Sequence, residues 1–283
     1  MAQGVRVGAE NWDGILFEIP NRRDKIMITI SGSDGGMEHP AKLARFLADS
    51  GVPALALGLF RTRHTGKSLD RVPVDRIGDV IAWLQKRGYQ KIGIEGVSKG
   101  AEYALAAAIE YPQLSCVIIK TPSWYYSEGL CRKRPAGHCC WTLHGQDLEY
   151  TPYAQRKFNA VKLICQAGEY NLLPINTTKQ VDLLSVIPIE RVHAPILMLS
   201  TKADTIWPSE ESCQKLCERL KAHDFPYPYQ HTSFEKMSHM MLENCGKAIR
   251  WFFKSEKQFP EICAQERKVM GQLCLNWIEQ VWQ

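Results

Sequence analysis

Short apolar segments alternate with longer amphipathic segments along most of this chain. Each apolar segment is four to six residues long, and most are rich in the aliphatic side chains typical of buried strands. An earlier segment, 14–19, predicts one strand of an antiparallel hairpin at the sheet edge. The strands predicted for the core of the sheet are 26–31, 54–57, 91–95, 116–120, 195–200 and 227–231.

The amphipathic segments have apolar residues three and four positions apart, which is the spacing of a helix with one buried face. They predict helices at 40–50, 74–87, 101–110 and 209–223, then two more at 242–253 and 261–282 that meet near Pro260. Strands and helices that alternate in this way are typical of a mostly parallel sheet with helices on both faces. We therefore expect an α/β fold, with residues 1–283 as a single domain.

Residues 124–191 interrupt this alternation. The segment is long and irregular, contains many aromatic residues and cysteines, and lies between two predicted core strands. Insertions of this length are usually functional lids or disordered segments, and this one is too aromatic and apolar to be disordered. We expect a lid that forms part of a substrate pocket; a packed surface excursion without a part in binding is the alternative.

Composition narrows the function classes. With 45% hydrophobic and 23% charged residues, the chain resembles an ordinary soluble globular protein, and its net charge of +5 is modest. Its basic residues are scattered, so we expect no nucleic-acid partner.

No apolar run is long enough to span a membrane and no apolar signal region begins the chain, so we expect a cytoplasmic location with the ten cysteines as free thiols. The oligomeric state stays open.

One cluster of metal-binding residue types occurs in the sequence. His138, Cys139, Cys140 and His144 lie close together, but they lack the Cys-x-x-Cys spacing that structural zinc sites prefer. We therefore expect neither a metal ion nor another cofactor.

The most informative motif is Gly-Val-Ser-Lys-Gly at 96–100, between a predicted strand and a predicted helix. A serine in this setting is the nucleophile elbow of an α/β-hydrolase. The flanking glycines allow a sharp turn, and the free N–H groups of the following helix favour negative charge beside the hydroxyl. Ser98 is therefore the candidate nucleophile.

An elbow serine needs a general base and an acid to orient that base, in the chain order serine, acid, histidine. Asp204 follows the strand predicted at 195–200, and His239 follows the last predicted strand, so both belong at the sheet edge where Ser98 lies. A helix-capping role is the alternative for Asp204. The other histidines precede strands, lie within them or lie in the insertion: His39, His64, His138, His144, His193, His223 and His231.

A serine hydrolase also needs two backbone donors, the oxyanion hole, for the negative charge that develops on the substrate oxygen. One is expected to be the N–H of Lys99, directly after the nucleophile. The other is expected from the glycine-rich loop after the strand predicted at 26–31, at Ser33 or Asp34. An ordinary strand-to-helix connection is the alternative for this loop.

Three segments together resemble one known family: 96–102, Gly-Val-Ser-Lys-Gly-Ala-Glu; 203–209, Ala-Asp-Thr-Ile-Trp-Pro-Ser; and 32–38, Gly-Ser-Asp-Gly-Gly-Met-Glu. They are similar to the C-terminal catalytic domain of acyl-CoA thioesterases and bile acid-CoA:amino acid N-acyltransferases, a dienelactone-hydrolase-like α/β-hydrolase domain. The resemblance covers roughly residues 26–242. By matching position it implies Ser98 as nucleophile, Asp204 as acid and His239 as base.

The sequence departs from this family in two ways. Animal members have a β-sandwich domain before the hydrolase domain, whereas only about 25 residues precede the first core strand here. We therefore expect any part that the β-sandwich domain plays in substrate binding to be missing or replaced. Amino-acid-conjugating members have a cysteine nucleophile, and a serine at position 98 fits hydrolysis better, because a serine ester is commonly discharged to water.

We therefore expect a serine hydrolase that cleaves acyl esters or thioesters, an acyl-CoA substrate among them. Aromatic side chains are expected to bind the acyl group, and the basic loop 61–67 either binds phosphates or is simply solvated. The alternatives are a dienelactone-hydrolase-like carboxylesterase, a peptidase, an acyltransferase and a non-catalytic ligand-binding homologue. The residues expected to contact substrate are Trp124, Tyr125, Trp141 and Trp207.

Overall fold

The computed structural model describes residues 2–131, 134–154, 167–177 and 180–282. The strands in these ranges are β1 Val5–Ala9, β2 Trp12–Phe17, β3 Lys25–Ile30, β4 Ala54–Gly58, β5 Val72–Pro73, β6 Lys91–Val97, β7 Leu114–Lys120, β8 Glu128–Cys131, β9 Arg134–Cys139, β10 Trp141–Leu143, β11 Gln146–Asp147, β12 Ile196–Thr201 and β13 Tyr229–Phe234. The α-helices are α1 Glu38–Asp49, α2 Arg76–Lys86, α3 Lys99–Glu110, α4 Leu173–Asn176, α5 Ser209–Ala222, α6 Lys254–Gln258 and α7 Pro260–Asn276. Single 3-10 turns form at Leu183–Ser185, Ile189–Arg191 and Lys247–Trp251, and a π-helical turn, Trp277–Val281, follows α7.

Eight strands form the main sheet, in the order β1-β2-β4-β3-β6-β7-β12-β13. Every neighbouring pair from β4 to β13 is parallel, and β2 and β1 extend one edge in antiparallel fashion. Because parallel strands end at the same edge of a sheet, the loops after β3, β6, β12 and β13 lie together. These loops carry the candidate site.

The predicted α/β fold class and the edge hairpin are confirmed. Each of the six predicted core strands forms, with its ends displaced by at most three residues. The helix predicted at 242–253 is wrong, since this stretch contains a single 3-10 turn. Its apolar residues Leu242 and Phe253 pack into two different clusters, and no single buried face extends along the segment.

Helices cover both faces of the sheet. On one face, α2, α3 and α5 bury aliphatic side chains in one cluster with residues of β3, β6, β7 and β12, and Leu84, Leu105 and Leu216 are among them. On the other face, α1 and α7 bury Leu47 and Met270. This sandwich of helix, sheet and helix holds the strand ends, and therefore the loops of the candidate site, in fixed relative positions.

The insertion 124–191 adds two small sheets to the main fold. Strands β8 and β9 form an antiparallel hairpin, and β10 pairs with β11 and, in parallel, with β5. Residues 132–133, 155–166 and 178–179 of the insertion lie outside the described residues. Its function as a lid therefore stays a prediction.

The sequence predicts no membrane-spanning segment, and it predicts that the cysteines are free thiols. Within the described ranges, no helix combines the length and the apolar character needed to cross a membrane. Nine of the ten cysteines lie in these ranges and all nine are free thiols, as predicted. The tenth, Cys165, lies outside the described residues.

Candidate active site

Ser98 lies on a strained turn between β6 and α3. Its backbone has φ +60° and ψ −123°, in the positive-φ region that side chains disfavour. The glycines on either side permit the turn: a Cβ at Gly96 would lie 2.2 Å from the carbonyl oxygen of Gly100, and one at Gly100 would lie 2.5 Å from that of Ser31. The sequence therefore folds locally into the sharp strand-to-helix turn expected of a nucleophile elbow, with the Ser98 N–H donating to the carbonyl of Lys120 at 2.9 Å.

The three residues predicted from motif order form a hydrogen-bonded series in which His239 lies between Ser98 and Asp204. Ser98 Oγ is 2.9 Å from His239 Nε2, and His239 Nδ1 is 2.9 Å from each carboxylate oxygen of Asp204. All three side chains are buried. An imidazole that donates its Nδ1–H to the carboxylate presents its Nε2 lone pair to the hydroxyl, which is the arrangement a general base requires.

Asp204 is positioned by the loop that follows β12. Its Oδ1 accepts hydrogen bonds from the backbone N–H groups of Ile206, at 2.9 Å, and Trp207, at 3.3 Å. The carboxylate therefore orders its own loop and orients the His239 ring at the same time. The alternative of a helix-capping role for Asp204 is wrong, because α5 has Pro208 as its N-cap and no side-chain cap hydrogen bond, and the amides that Asp204 binds precede the helix.

The loop that carries His239 is held by side chains from α6 and α7. The Glu266 carboxylate accepts from the backbone N–H groups of residues 235–237, and Glu256 accepts from both the backbone N–H and the hydroxyl of Ser238. Arg267 pairs with Glu256 and donates to the Met240 carbonyl at 3.3 Å. Sequence reasoning missed these supports, because nothing local to the loop indicates which distant carboxylates bind it.

The loop of residues 32–36, here called the oxyanion loop after the donors predicted in it, lies directly against Ser98. A Cβ at Gly32 would lie 2.8 Å from Ser98 Cβ and 3.0 Å from Ser98 Oγ. The Asp34 carboxylate accepts from the Ser31 hydroxyl at 3.1 Å. It also lies 2.8 Å from His39 Nδ1, and this close contact raises the pKa of His39. The Asp34 side chain thus orders the loop, and the predicted oxyanion donors, the backbone N–H groups of Ser33 or Asp34 together with that of Lys99, stay predictions.

Gly32 is the residue of this loop that sequence reasoning missed. We expect Gly32→Ala to lower kcat roughly tenfold to hundredfold, because the added methyl group would displace the Ser98 side chain or the loop that faces it. Steady-state kinetics on a chromogenic acyl ester measures the effect. Gly66→Ala is the matched control, since a Cβ there meets no atom within 4 Å and kcat should stay unchanged. If Gly32→Ala had the same kcat as Gly66→Ala, the space between Gly32 and Ser98 would not be needed for turnover.

The predicted aromatic substrate contacts lie in different settings. Trp207 stands edge-on to the His239 ring, with centroids 5.1 Å apart, and its indole N–H donates to the Thr121 carbonyl at 2.9 Å. Trp124 packs edge-to-face with Tyr125, and burial raises the pKa of Tyr125 to about 12. Trp207 therefore belongs to the immediate surroundings of the imidazole, and substrate contact by Trp124 and Tyr125 stays a prediction.

The prediction that Trp141 contacts substrate is wrong. Its side chain is fully buried, its ring packs edge-on to Tyr103 at 5.3 Å, and its indole N–H donates to the Glu102 carboxylate at 3.2 Å. No face of this ring is open to a ligand, so Trp141 supports the helix that begins at the elbow instead of contacting substrate. Its place between two core strands in the sequence gave no sign of this burial.

The basic loop 61–67 lies beside the oxyanion loop. Arg61 donates to the Asp34 carbonyl at 3.0 Å, and the backbone N–H of His64 donates to Asp13 at 2.7 Å. A cleft of about 550 Å³ runs along this loop and the edge hairpin. Its lining includes the basic residues Arg6, Arg61, Arg63 and His64.

One family model and several curated proteins match this chain. Residues 78–245 match the model of the family described as BAAT / Acyl-CoA thioester hydrolase C terminal. Acyl-coenzyme A thioesterase 6 of Mus musculus is 28% identical over 205 residues, which are 70% of this chain and 44% of that protein. Acyl-coenzyme A thioesterase 1 of Homo sapiens is 24% identical over 203 residues, again 70% of this chain and 44% of that protein. The chain thus spans less than half the length of the curated relatives it matches.

Solved structures share the fold at lower identity. An esterase from Pyrococcus furiosus superposes with a TM-score of 0.58 at 16% identity and covers 100% of this chain and 94% of its own. A dienelactone hydrolase from Anabaena variabilis has a TM-score of 0.55 at 18% identity, with 100% and 99% of the two chains covered. At this identity the likeness shows the α/β-hydrolase fold.

Proposed function

Because the chain belongs to the BAAT / acyl-CoA thioester hydrolase C-terminal family, we propose that it is a serine hydrolase of acyl esters or thioesters. Ser98 would be the nucleophile, His239 the general base and Asp204 the residue that orients the base. One observation supports this most strongly: the buried hydrogen-bonded chain from Ser98 Oγ through the imidazole to the Asp204 carboxylate. The thioesterase names of the curated relatives favour a thioester substrate.

The chemistry begins with acylation of Ser98. As Oγ forms a bond to the acyl carbon, its proton passes to His239 Nε2, and the carbonyl oxygen becomes an oxyanion. The N–H of Lys99 and one from the oxyanion loop would stabilise that oxygen, at about 3 to 4 kcal/mol for each donor. The imidazolium, stabilised by Asp204, then gives its proton to the departing thiolate or alkoxide, and an acyl-serine ester remains.

The second half of the reaction regenerates the enzyme. Water loses a proton to His239 Nε2 as its oxygen attacks the ester carbon, and collapse of the tetrahedral intermediate returns that proton to Ser98 Oγ. An ester to serine is a poorer acyl donor to amines than a thioester to cysteine. The serine at position 98 therefore favours hydrolysis over transfer to an amino acid.

Substrate binding is proposed to involve two surfaces. The acyl group would lie beside Trp207 and under the insertion 124–191, where Trp124 and Tyr125 supply apolar area. The phosphates of a coenzyme A thioester would lie along the basic loop 61–67, where Arg61 and Arg63 line the cleft.

Intact-mass spectrometry after exposure to a mixed acyl-CoA pool tests the proposal. We expect a mass gain of one acyl group that peptide mapping assigns to Ser98, and no gain in Ser98→Ala. The identity of the trapped acyl group reports chain-length preference in the same experiment.

A parallel rate comparison uses acyl-CoA and aryl esters of the same acyl group. Faster turnover of the oxygen esters would move the assignment to a carboxylesterase. Absence of both an adduct and any Ser98-dependent turnover would overturn the hydrolase proposal and favour a ligand-binding homologue.

A further inference from the structure

Lys120 is the last residue of β7, and its ammonium is fully buried. Its Nζ forms ion pairs with two carboxylates, Glu95 at 2.5 Å and Glu243. Glu95, Glu243 and Cys274 bring three metal-binding side chains within 4.8 Å of one another, but the lysine supplies the positive charge there, so we assign no metal. Burial lowers the pKa of Lys120, yet Cys274 and the two carboxylates more than offset this and hold it above the ordinary value. The side chain is therefore a buried cation.

The two carboxylates belong to different parts of the candidate site. Glu95 lies on β6, one residue before the first glycine of the elbow, and its side chain is almost completely buried. Glu243 lies four residues after His239, in the loop that carries the imidazole. The Lys120 ammonium thus joins the strand that positions the nucleophile to the loop that positions the base.

The backbone of the same segment makes the same connection. The Lys120 carbonyl accepts the Ser98 N–H at 2.9 Å. The next residue, Thr121, donates its hydroxyl to the His239 carbonyl at 3.4 Å, and its own carbonyl accepts the indole N–H of Trp207. Segment 120–121 therefore contacts the loops of all three residues in the proposed reaction.

We propose that Lys120 is a positioning residue, whose simultaneous binding of Glu95 and Glu243 fixes the separation between Ser98 Oγ and His239 Nε2. The inference rests on the proposed function. Its physical basis is that apolar side chains of similar volume can replace a buried ion cluster without loss of stability, but they lack directional contacts. We therefore expect this buried cluster, which lies beside the site, to serve geometry more than stability.

The test uses a neutral triple variant, Lys120→Met with Glu95→Gln and Glu243→Gln, which leaves no unpaired charge in the core. A fluorophosphonate probe reports the reactivity of Ser98 without knowledge of the natural substrate, and kinetics on an aryl ester report kcat and KM. We expect labelling and kcat to fall roughly tenfold to hundredfold, with KM within about twofold and a cooperative melting transition retained. A stability role alone would leave the labelling rate of the folded protein unchanged.

The control is Arg219→Met. Arg219 lies on α5 and forms a bidentate ion pair with Glu190 in the turn Ile189–Arg191, and the variant removes this pair. That pair contacts none of the three loops, so labelling should proceed at the wild-type rate. Wild-type labelling in the folded triple variant would overturn the inference. Should the triple variant not fold, Glu243→Gln, which keeps the pair with Glu95, is expected to label roughly fivefold more slowly, and a wild-type rate there would overturn it. A wild-type protein that the probe does not label would instead overturn the proposed function.

Discussion

Replacing Asp204 with asparagine should lower kcat for acyl ester hydrolysis roughly 10⁴-fold, with little change in KM. The Asp204 carboxylate accepts from His239 Nδ1 and from the backbone N–H groups of Ile206 and Trp207. Asparagine has one acceptor oxygen and a donor NH₂, so it cannot satisfy all of these donors. If the NH₂ faces Nδ1, the imidazole takes the tautomer with its proton on Nε2. Nε2 then has no lone pair for the Ser98 proton, and the acylation step fails.

The matched control is Asp224→Asn. Asp224 is exposed and has φ +48°, a conformation that asparagine tolerates well, so activity and melting temperature should stay at wild-type values. Steady-state kinetics on a chromogenic ester, with melting curves for each variant, make the measurement. A kcat for Asp204→Asn within tenfold of wild type would remove Asp204 from the proposed mechanism.

The sheet edge at which Ser98, Asp204 and His239 meet could be predicted because each of these residues is tied to a local pattern. A glycine on either side of Ser98 indicates the turn, and strand ends indicate which edge of the sheet carries Asp204 and His239. Chain order then assigns their roles, and the hydrogen-bonding distances between the three side chains are compatible with that assignment. The motifs and the topology agree here because all strands of a parallel sheet end at one edge, so a residue that directly follows any of these strands lies at that edge.

The supporting residues could not be predicted, because their roles depend on packing between distant segments. Glu256 and Arg267, on two C-terminal helices, bind the loop of His239, but the sequence predicts only that Arg267 is helical and no element at Glu256. The aromatic insertion predicts Trp141 as a substrate contact, yet β10 pairs with β5 and so brings the ring into the core. Lys120 ends a strand whose other buried side chains are mostly apolar. Its charge in the core is explained only by its ion pairs with Glu95 and Glu243, which come from distant parts of the chain.

A second buried ion pair lies directly beneath the elbow. Lys99 Nζ is 3.1 Å from the Glu102 carboxylate, and both side chains are almost completely buried. Ser127 accepts from the lysine and donates to the carboxylate, and Trp141 donates to the carboxylate as well. The pair thus joins the first turn of α3 to two residues of the insertion. Burial lowers the pKa of Lys99, but Cys140 and Glu102 more than offset this, so the lysine stays charged.

We expect Lys99→Met to lower the free energy of unfolding by about 3 to 5 kcal/mol, because it leaves the Glu102 carboxylate buried without its cation. Urea unfolding followed by tryptophan fluorescence measures this. Lys42→Met is the matched control: it removes a pair with Glu38 on the surface of α1, and the urea midpoint should stay unchanged because water screens exposed charges. The backbone N–H of residue 99 is retained in the variant, so kcat of the folded fraction should change far less than in Asp204→Asn. A loss of stability below about 1 kcal/mol would mean that Ser127 and Trp141 satisfy the Glu102 carboxylate without the lysine.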